Sequence, residues 1–193
     1  MMNHTEHTPW RVEARDLPTR AGTHRDLERA LPVTERWGTD LAWLEPGEHV
    51  HVEASAEAVV DGVFLTGVAR ASLHAVCVRC LTPLTLPIEA RIDELFMSPE
   101  ALERAREEGD EEVEDMVHLE EGTIDLDQPV RDAILGEVPF TLVCEEDCPG
   151  LCPGCGIDLR DAEPGHAHEQ IDPRLASLAE LRDRLAADAG DTQ

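Results

Sequence analysis

Tyrosine and lysine are absent from this 193-residue chain, and three Trp and three Phe are its only other aromatics, 3% of the residues. So few rings argue against a ligand cage or a base-stacking platform built from several aromatic side chains. Positive charge is also scarce. Sixteen Arg face 42 Asp and Glu, which leaves a net charge of −26. Tracking a phosphate backbone needs clustered Lys and Arg that displace counterions, so broad direct nucleic-acid binding is not expected, and neither is an anionic membrane surface. The electrostatic complement of such a chain is a basic protein partner. The exclusive use of Arg fits codon bias and carries no functional weight.

Other absences narrow the class further. No apolar run approaches the roughly 18 residues that a membrane span requires. The start, Met1 to Glu6, has neither a basic n-region nor an apolar h-region, so a cytoplasmic protein is expected. No GxSxG elbow, phosphate-binding glycine loop or HExxH motif is present. The remaining composition, 41% hydrophobic and 30% charged, is globular, and the length suits one domain or a small domain with an appended module. In a reducing compartment its six cysteines point to metal or redox chemistry rather than to a disulfide framework.

Along the chain, residues 1–9 read as a polar, disordered tail. Trp10 to Arg15 alternates as a short strand, and Leu27 to Leu31 reads as a helical turn. From His49 to Val60 alternation of period two is clear. Asp61-Gly62 supplies a hairpin turn, Val63 to Val76 a returning strand, and Leu84 to Phe96 a third. The first CxxC falls between the second and third strands. Residues 100–121 hold eleven acidic residues and two Arg, which reads as a self-repelling solvated loop. Asp127 is placed to cap a helix with apolar positions at Val130, Ala133, Ile134 and Val138, ahead of Pro139. Asp172-Pro173 is a start signal for a terminal helix lined by Leu175, Leu178, Leu181 and Leu185.

Specific chemistry is concentrated in cysteine and histidine. The first pair is Cys77-Val78-Arg79-Cys80. A second group holds Cys144, Cys148, Cys152 and Cys155, with Gly156 directly after the last, and His166-Ala167-His168 follows. A CxxC turn places two thiolates on one side of a tight loop, and zinc takes four such Cys or His ligands in structural sites. Glycine after the second Cys permits the positive φ that a knuckle often needs. Three ligand pairings are open. Two sites could form from Cys152, Cys155, His166 and His168, and from Cys77, Cys80, Cys144 and Cys148. One all-cysteine site could use Cys77, Cys80, Cys152 and Cys155. A local site could use Cys144, Cys148, Cys152 and Cys155. Spacing does not choose among them. The plain alternatives are reduced bystander thiols and exposed loop histidines, but four cysteines within twelve residues among Pro and Gly make a poor core pattern.

A catalytic CxxC of the thioredoxin type sits at a helix N-terminus after a strand. Here Leu81-Thr82-Pro83-Leu84 reads as turn and strand, so redox catalysis is the minority reading. Four candidate ligands per site suggest closed, structural metal rather than an open hydrolytic one.

These residues resemble the YceD family of large ribosomal RNA subunit accumulation proteins. The resemblance lies in Cys77 to Leu81, in Glu94-Leu95-Phe96, in Ile124-Asp125-Leu126 before a short helix, in Cys148 to Gly156, and in Ile171 to Leu175. It runs in order from about residue 10 to 187. It implies a bacterial cytoplasmic protein needed for normal levels of large-subunit ribosomal RNA, with no established enzymatic activity. Similar chains can carry a Cys-x-Cys pair where His166 and His168 stand, which favours pairing these with Cys152 and Cys155.

The expected architecture is α+β: an antiparallel sheet, two or more helices and a zinc-knuckle-like Cys/His C-terminal region. The expected organisation is an α+β domain over 10–143 with an acidic loop at 100–121, a metal-binding segment over 144–171, and a helix over 172–188 packing on the domain. The expected role is accessory, by binding, in large-subunit ribosome biogenesis. One or two structural zinc ions are expected, with a ribosomal protein or assembly factor as the basic partner. A thiol-based redox or metal-responsive regulator and a metal-dependent RNA-processing hydrolase are the alternatives.

Overall fold

The computed structural model describes residues 9–13, 17–18, 20–109, 113, 116–120, 122–168, 174 and 178. The chain divides into two compact units, Met1–Val78 with Thr82–Cys144, and Arg79–Leu81 with Glu145–Gln193.

The first unit is built on three long antiparallel strands, β5 (His49–Val59), β6 (Gly62–Val76) and β7 (Pro83–Met97). Period-two patterning sets which face is buried. Val50, Val52 and Ala56 of β5, Leu65, Ala69 and Leu73 of β6, and Ala90, Ile92 and Phe96 of β7 are all buried. The opposite face carries charge, where Arg70 pairs with Glu53 at 3.0 Å and with Glu89 at 2.7 Å. The hairpin between β5 and β6 turns at Val60-Asp61, one residue earlier than expected. Gly62 is already in the ladder, opposite Val59 and Met97.

Leu27 to Leu31 is not a helical turn. It lies inside β2 (His24–Pro32), which pairs antiparallel with β5. Residues four apart share a face in either element, so the spacing of these two leucines did not discriminate. The short strands β3 (Trp37–Gly38) and β4 (Ala42–Leu44) extend the sheet along β6. The expected Trp10–Arg15 strand is short: β1 (Arg11–Val12) pairs with β8 (Ile124–Asp125).

The acidic stretch holds a helix, α1 (Pro99–Glu108), where a loop was expected. Local signals outweigh its charge density. The Ser98 hydroxyl accepts the Ala101 N–H at 3.2 Å, Pro99 occupies the first turn, and Gly109 closes the end in the left-handed conformation. Ala101 and Leu102 are buried.

The second helix, α2 (Asp127–Gly136), begins with Asp127 inside it rather than capping it. The N-cap position falls to Leu126, which has no capping side chain, and the Asp127 N–H donates instead to the Asp125 carboxylate just ahead of the helix, at 3.0 Å. Val130 and Ile134 are fully buried in the same core as Phe96, Trp10 and Trp37. Trp10 and Trp37 pack with ring centroids 5.1 Å apart, and the Trp10 indole donates to the Pro32 carbonyl at 2.9 Å. The architecture is α+β, as expected. The expected C-terminal helix over 172–188, apart from Arg174 and Leu178, and the tail before Pro9 lie outside the described residues.

In the second unit, Leu151 and Asp158 form an antiparallel bridge and Leu159 N–H donates to Gly150 at 2.9 Å. These bonds fold Gly150–Leu159 into a small hairpin with Cys152 and Cys155 at its tip.

Candidate metal centres

The two CxxC segments fold alike. Cys77 N–H donates to the Thr82 carbonyl at 2.9 Å, and Cys152 N–H donates to the Ile157 carbonyl at 2.8 Å. Each bond spans five residues and closes a knuckle around its two thiols. The residue after the second Cys is left-handed in both, Leu81 at φ 59° and Gly156 at φ 75°. The positive φ expected at Gly156 is therefore present, and its counterpart in the first knuckle is a leucine.

All eight sequence candidates fall into two groups of four. Cys77, Cys80, Cys144 and Cys148 form one; Cys152, Cys155, His166 and His168 form the other. Within each, the ligand atoms lie within 4.8 Å of one another. Four ligands about 2.3 Å from a tetrahedral ion stand roughly 3.8 Å apart, so both groups are close to the spacing that a bound ion would impose. The grouping is that of the first pairing considered above. Among the described residues, neither single-site set is assembled as a group.

The two groups differ in surroundings. Cys77, Cys80 and Cys148 are buried and Cys144 is partly so. A largely buried all-thiolate set has the donor chemistry of a closed zinc site. Arg79 supports it from inside the first CxxC: its guanidinium Nη1 donates to the carbonyls of Cys148 at 2.9 Å and Glu146 at 3.3 Å, while its own carbonyl accepts Leu151 N–H at 3.0 Å. Sequence reasoning did not single out Arg79, although its place between two cysteines was a usable signal.

In the second group Cys152 is buried, Cys155 and His168 are exposed and His166 lies between. The backbone N–H groups of Gly154 and then Cys155 hold the Cys152 thiol below its ordinary pKa, which favours the thiolate a metal requires. Cys155 Sγ lies 3.3 Å from His166 Nε2, and the two histidine rings meet edge to face at 4.8 Å. Pro164-Gly165 makes the turn that presents His166, whose N–H donates to Glu163 at 3.0 Å.

The residues after the first CxxC run directly into β7, not into a helix N-terminus. That removes the helix dipole that a thioredoxin-type cysteine relies on. No helix among the described residues is long and apolar enough to cross a membrane.

Fold and ligands together define a small α+β protein with two compact Cys/His groups, each able to hold a metal ion. Its sequence matches, over residues 65–182, the family described as large ribosomal RNA subunit accumulation protein YceD. The chain belongs to that family. It is 38% identical to an uncharacterized protein of Mycobacterium tuberculosis (strain H37Rv) over 174 residues, 90% of this chain and 82% of that one. A relative in Mycobacterium leprae is 37% identical over 177 residues, 91% of this chain and 77% of that one. A chloroplast protein of Arabidopsis thaliana, named large ribosomal RNA subunit accumulation protein YCED homolog 1, is 29% identical over 79 residues, 40% of this chain and 25% of that one. No solved structure matches the chain.

Proposed function

We propose that this protein supports accumulation of large-subunit ribosomal RNA in the cytoplasm by binding a basic protein, a ribosomal protein or assembly factor, and that zinc held by its two ligand groups is structural. Family membership supplies the ribosomal context. The observation that carries the mode of action is charge. A chain at −26 is repelled by RNA and attracted to the basic proteins that RNA also attracts. Zinc is the metal that sets of four Cys or of Cys2His2 suit best, and a closed tetrahedral site leaves no position for substrate. Zinc bound there would fix loops that have little apolar core of their own.

The test has two arms. Removal of the gene should lower large-subunit ribosomal RNA relative to small-subunit RNA, and the full chain should restore it. Affinity purification after nuclease treatment should still retain a basic protein. Partners that vanish with the RNA and include no basic protein would overturn the binding mode.

A second reading rests on Cys155, an exposed thiol three residues after buried Cys152. A metal-responsive or thiol-based regulator would use this pair. It predicts rapid alkylation of Cys155 in the metal-loaded protein, which structural zinc would prevent.

A further inference from the structure

Phe140 is fully exposed, with a relative accessibility of 106%. The chain has only three Phe, and a bare ring on a charged surface lacks a folding rationale. It stands at one side of a groove of about 340 Å³ that also involves Leu41, Val78, Leu135, Val138 and Leu142. All belong to the first unit. Leu41 and Val78 are themselves partly exposed, at 44% and 38%. Exposed apolar side chains gathered round one groove, rather than scattered singly, are a candidate docking surface.

The lining argues for a protein side chain over a small metabolite. A metabolite pocket carries a few placed polar groups that fix orientation. Here the polar side chain is Thr39, and its Oγ1 is already engaged by the N–H groups of Leu41 at 3.2 Å and Ala42 at 3.4 Å. Part of the groove's backbone is engaged as well: the Leu41 carbonyl accepts Val76 N–H at 3.0 Å, and the Leu142 carbonyl accepts Val78 N–H at 2.8 Å. The side chains of the groove offer chiefly apolar shape.

Charge selects the occupant. Asp40 precedes Leu41 and its side chain is 99% exposed, with Arg36 3.3 Å from its Oδ1. Exposed Glu137 precedes Val138. A second copy of this chain would bring another −26 to the contact, and nucleic acid or an anionic membrane would be repelled likewise. We propose that this groove docks an apolar anchor side chain of a Lys/Arg-rich protein segment, the apolar side chain packing against Phe140 and Leu41 and its basic neighbours meeting Asp40 and Glu137. This inference rests on the basic-partner reading above and gives that reading a place on the surface.

The experiment places the photo-reactive residue p-benzoylphenylalanine at position 140, 41 or 60 of the full chain in its own host cell. Val60, 83% exposed in the β5–β6 turn, is the control apolar site. Cross-linked products are identified by mass spectrometry. The expected result is one basic protein captured from 140 and 41 but not from 60, cross-linked through a segment in which apolar and basic residues alternate. Phe140→Ser should then lower co-purification of that protein at least tenfold, with an unchanged melting temperature, and Val60→Ser should not. Equal capture from 60, or undiminished co-purification with Phe140→Ser, would leave the basic partner in place and overturn the groove. Capture of a second copy, an acidic protein or RNA would also overturn it. Loss of any basic protein from both assays would overturn the groove and the basic-partner reading together.

Discussion

Leu81 and Gly156 hold the same position in two knuckles 75 residues apart, each directly after the second cysteine and each left-handed, at φ 59° and 75°. For leucine this conformation costs roughly 1–2 kcal/mol, because Cβ crowds the carbonyl; glycine has no such penalty. Leu81 is 59% exposed and recovers little of that by burial. Leu81→Gly is therefore expected to raise stability by up to about 1 kcal/mol, after glycine's extra unfolded-state entropy is subtracted. Gly156→Leu should lower it by about 1–2 kcal/mol. Chemical denaturation of the metal-loaded proteins measures both. A destabilised Leu81→Gly would show that the leucine side chain is held by contacts worth more than the strain.

Gly154 lies against His168. A methyl group there would sit 2.7 Å from His168 Cβ and 2.8 Å from its Cγ and Cδ2, inside contact distance at the base of the side chain, where rotation gives little relief. Gly154→Ala should push the imidazole out of the second ligand group. Competition with a chromophoric chelator should show one metal equivalent weakened by about tenfold or more, the scale of effect expected when a ligand's supporting contacts are lost. The other equivalent should be unchanged. Equal retention of both would remove His168 from the ligand set.

Asp158 accepts the Arg160 guanidinium at 2.6 Å and the Arg160 backbone N–H at 2.9 Å. The guanidinium first, then the N–H, depress its carboxyl to about 2. A carboxyl depressed on folding stabilises the folded state above its ordinary pKa, and that contribution is lost as pH falls from about 4 to about 2. Carboxyl carbon shifts followed by NMR should give a midpoint near the lower value. Arg160→Gln should move the midpoint upward, though not fully, because the backbone donor remains. An ordinary midpoint in the unsubstituted protein would mean that the Arg160 contacts do not persist in solution.

Phe96 and Phe140 should separate folding from docking. Phe96 is fully buried and Phe140 fully exposed. Phe96→Ala should cost about 3–5 kcal/mol, and Phe140→Ala should stay within about 0.5 kcal/mol. Thermal and urea unfolding read both. A large loss at Phe140→Ala would mean that this ring is packed in solution.

The long strands were legible because alternation over His49–Val59 and its two neighbours leaves one face apolar and the other charged. The helix at Pro99–Glu108 was not, because eleven acidic residues between 100 and 121 masked a Ser-Pro-Glu start and a Gly stop. The first helical position of α2 was misassigned because Asp127 is a good capping residue by type, whereas the backbone places it one residue inside the helix, after Leu126. All eight ligand candidates were visible as residue types at suitable spacings. Their grouping was legible in part: two sites with the groups found here were the first choice, helped by the resemblance that pairs His166 and His168 with Cys152 and Cys155, but spacing alone admitted three pairings. The apolar groove had no sequence signal, because Leu41, Val78 and Phe140 are far apart in the chain and become neighbours only through the fold.

Two ligand groups of four should be visible in the metal content of the chain. Protein purified without chelator or a histidine tag should carry about two zinc ions by mass spectrometry, with its thiols protected until a chelator removes them. Removal should expose all six cysteines of the chain to a thiol reagent. About one zinc would contradict the paired arrangement in favour of a single site, and none, with freely reactive thiols, would contradict structural zinc altogether.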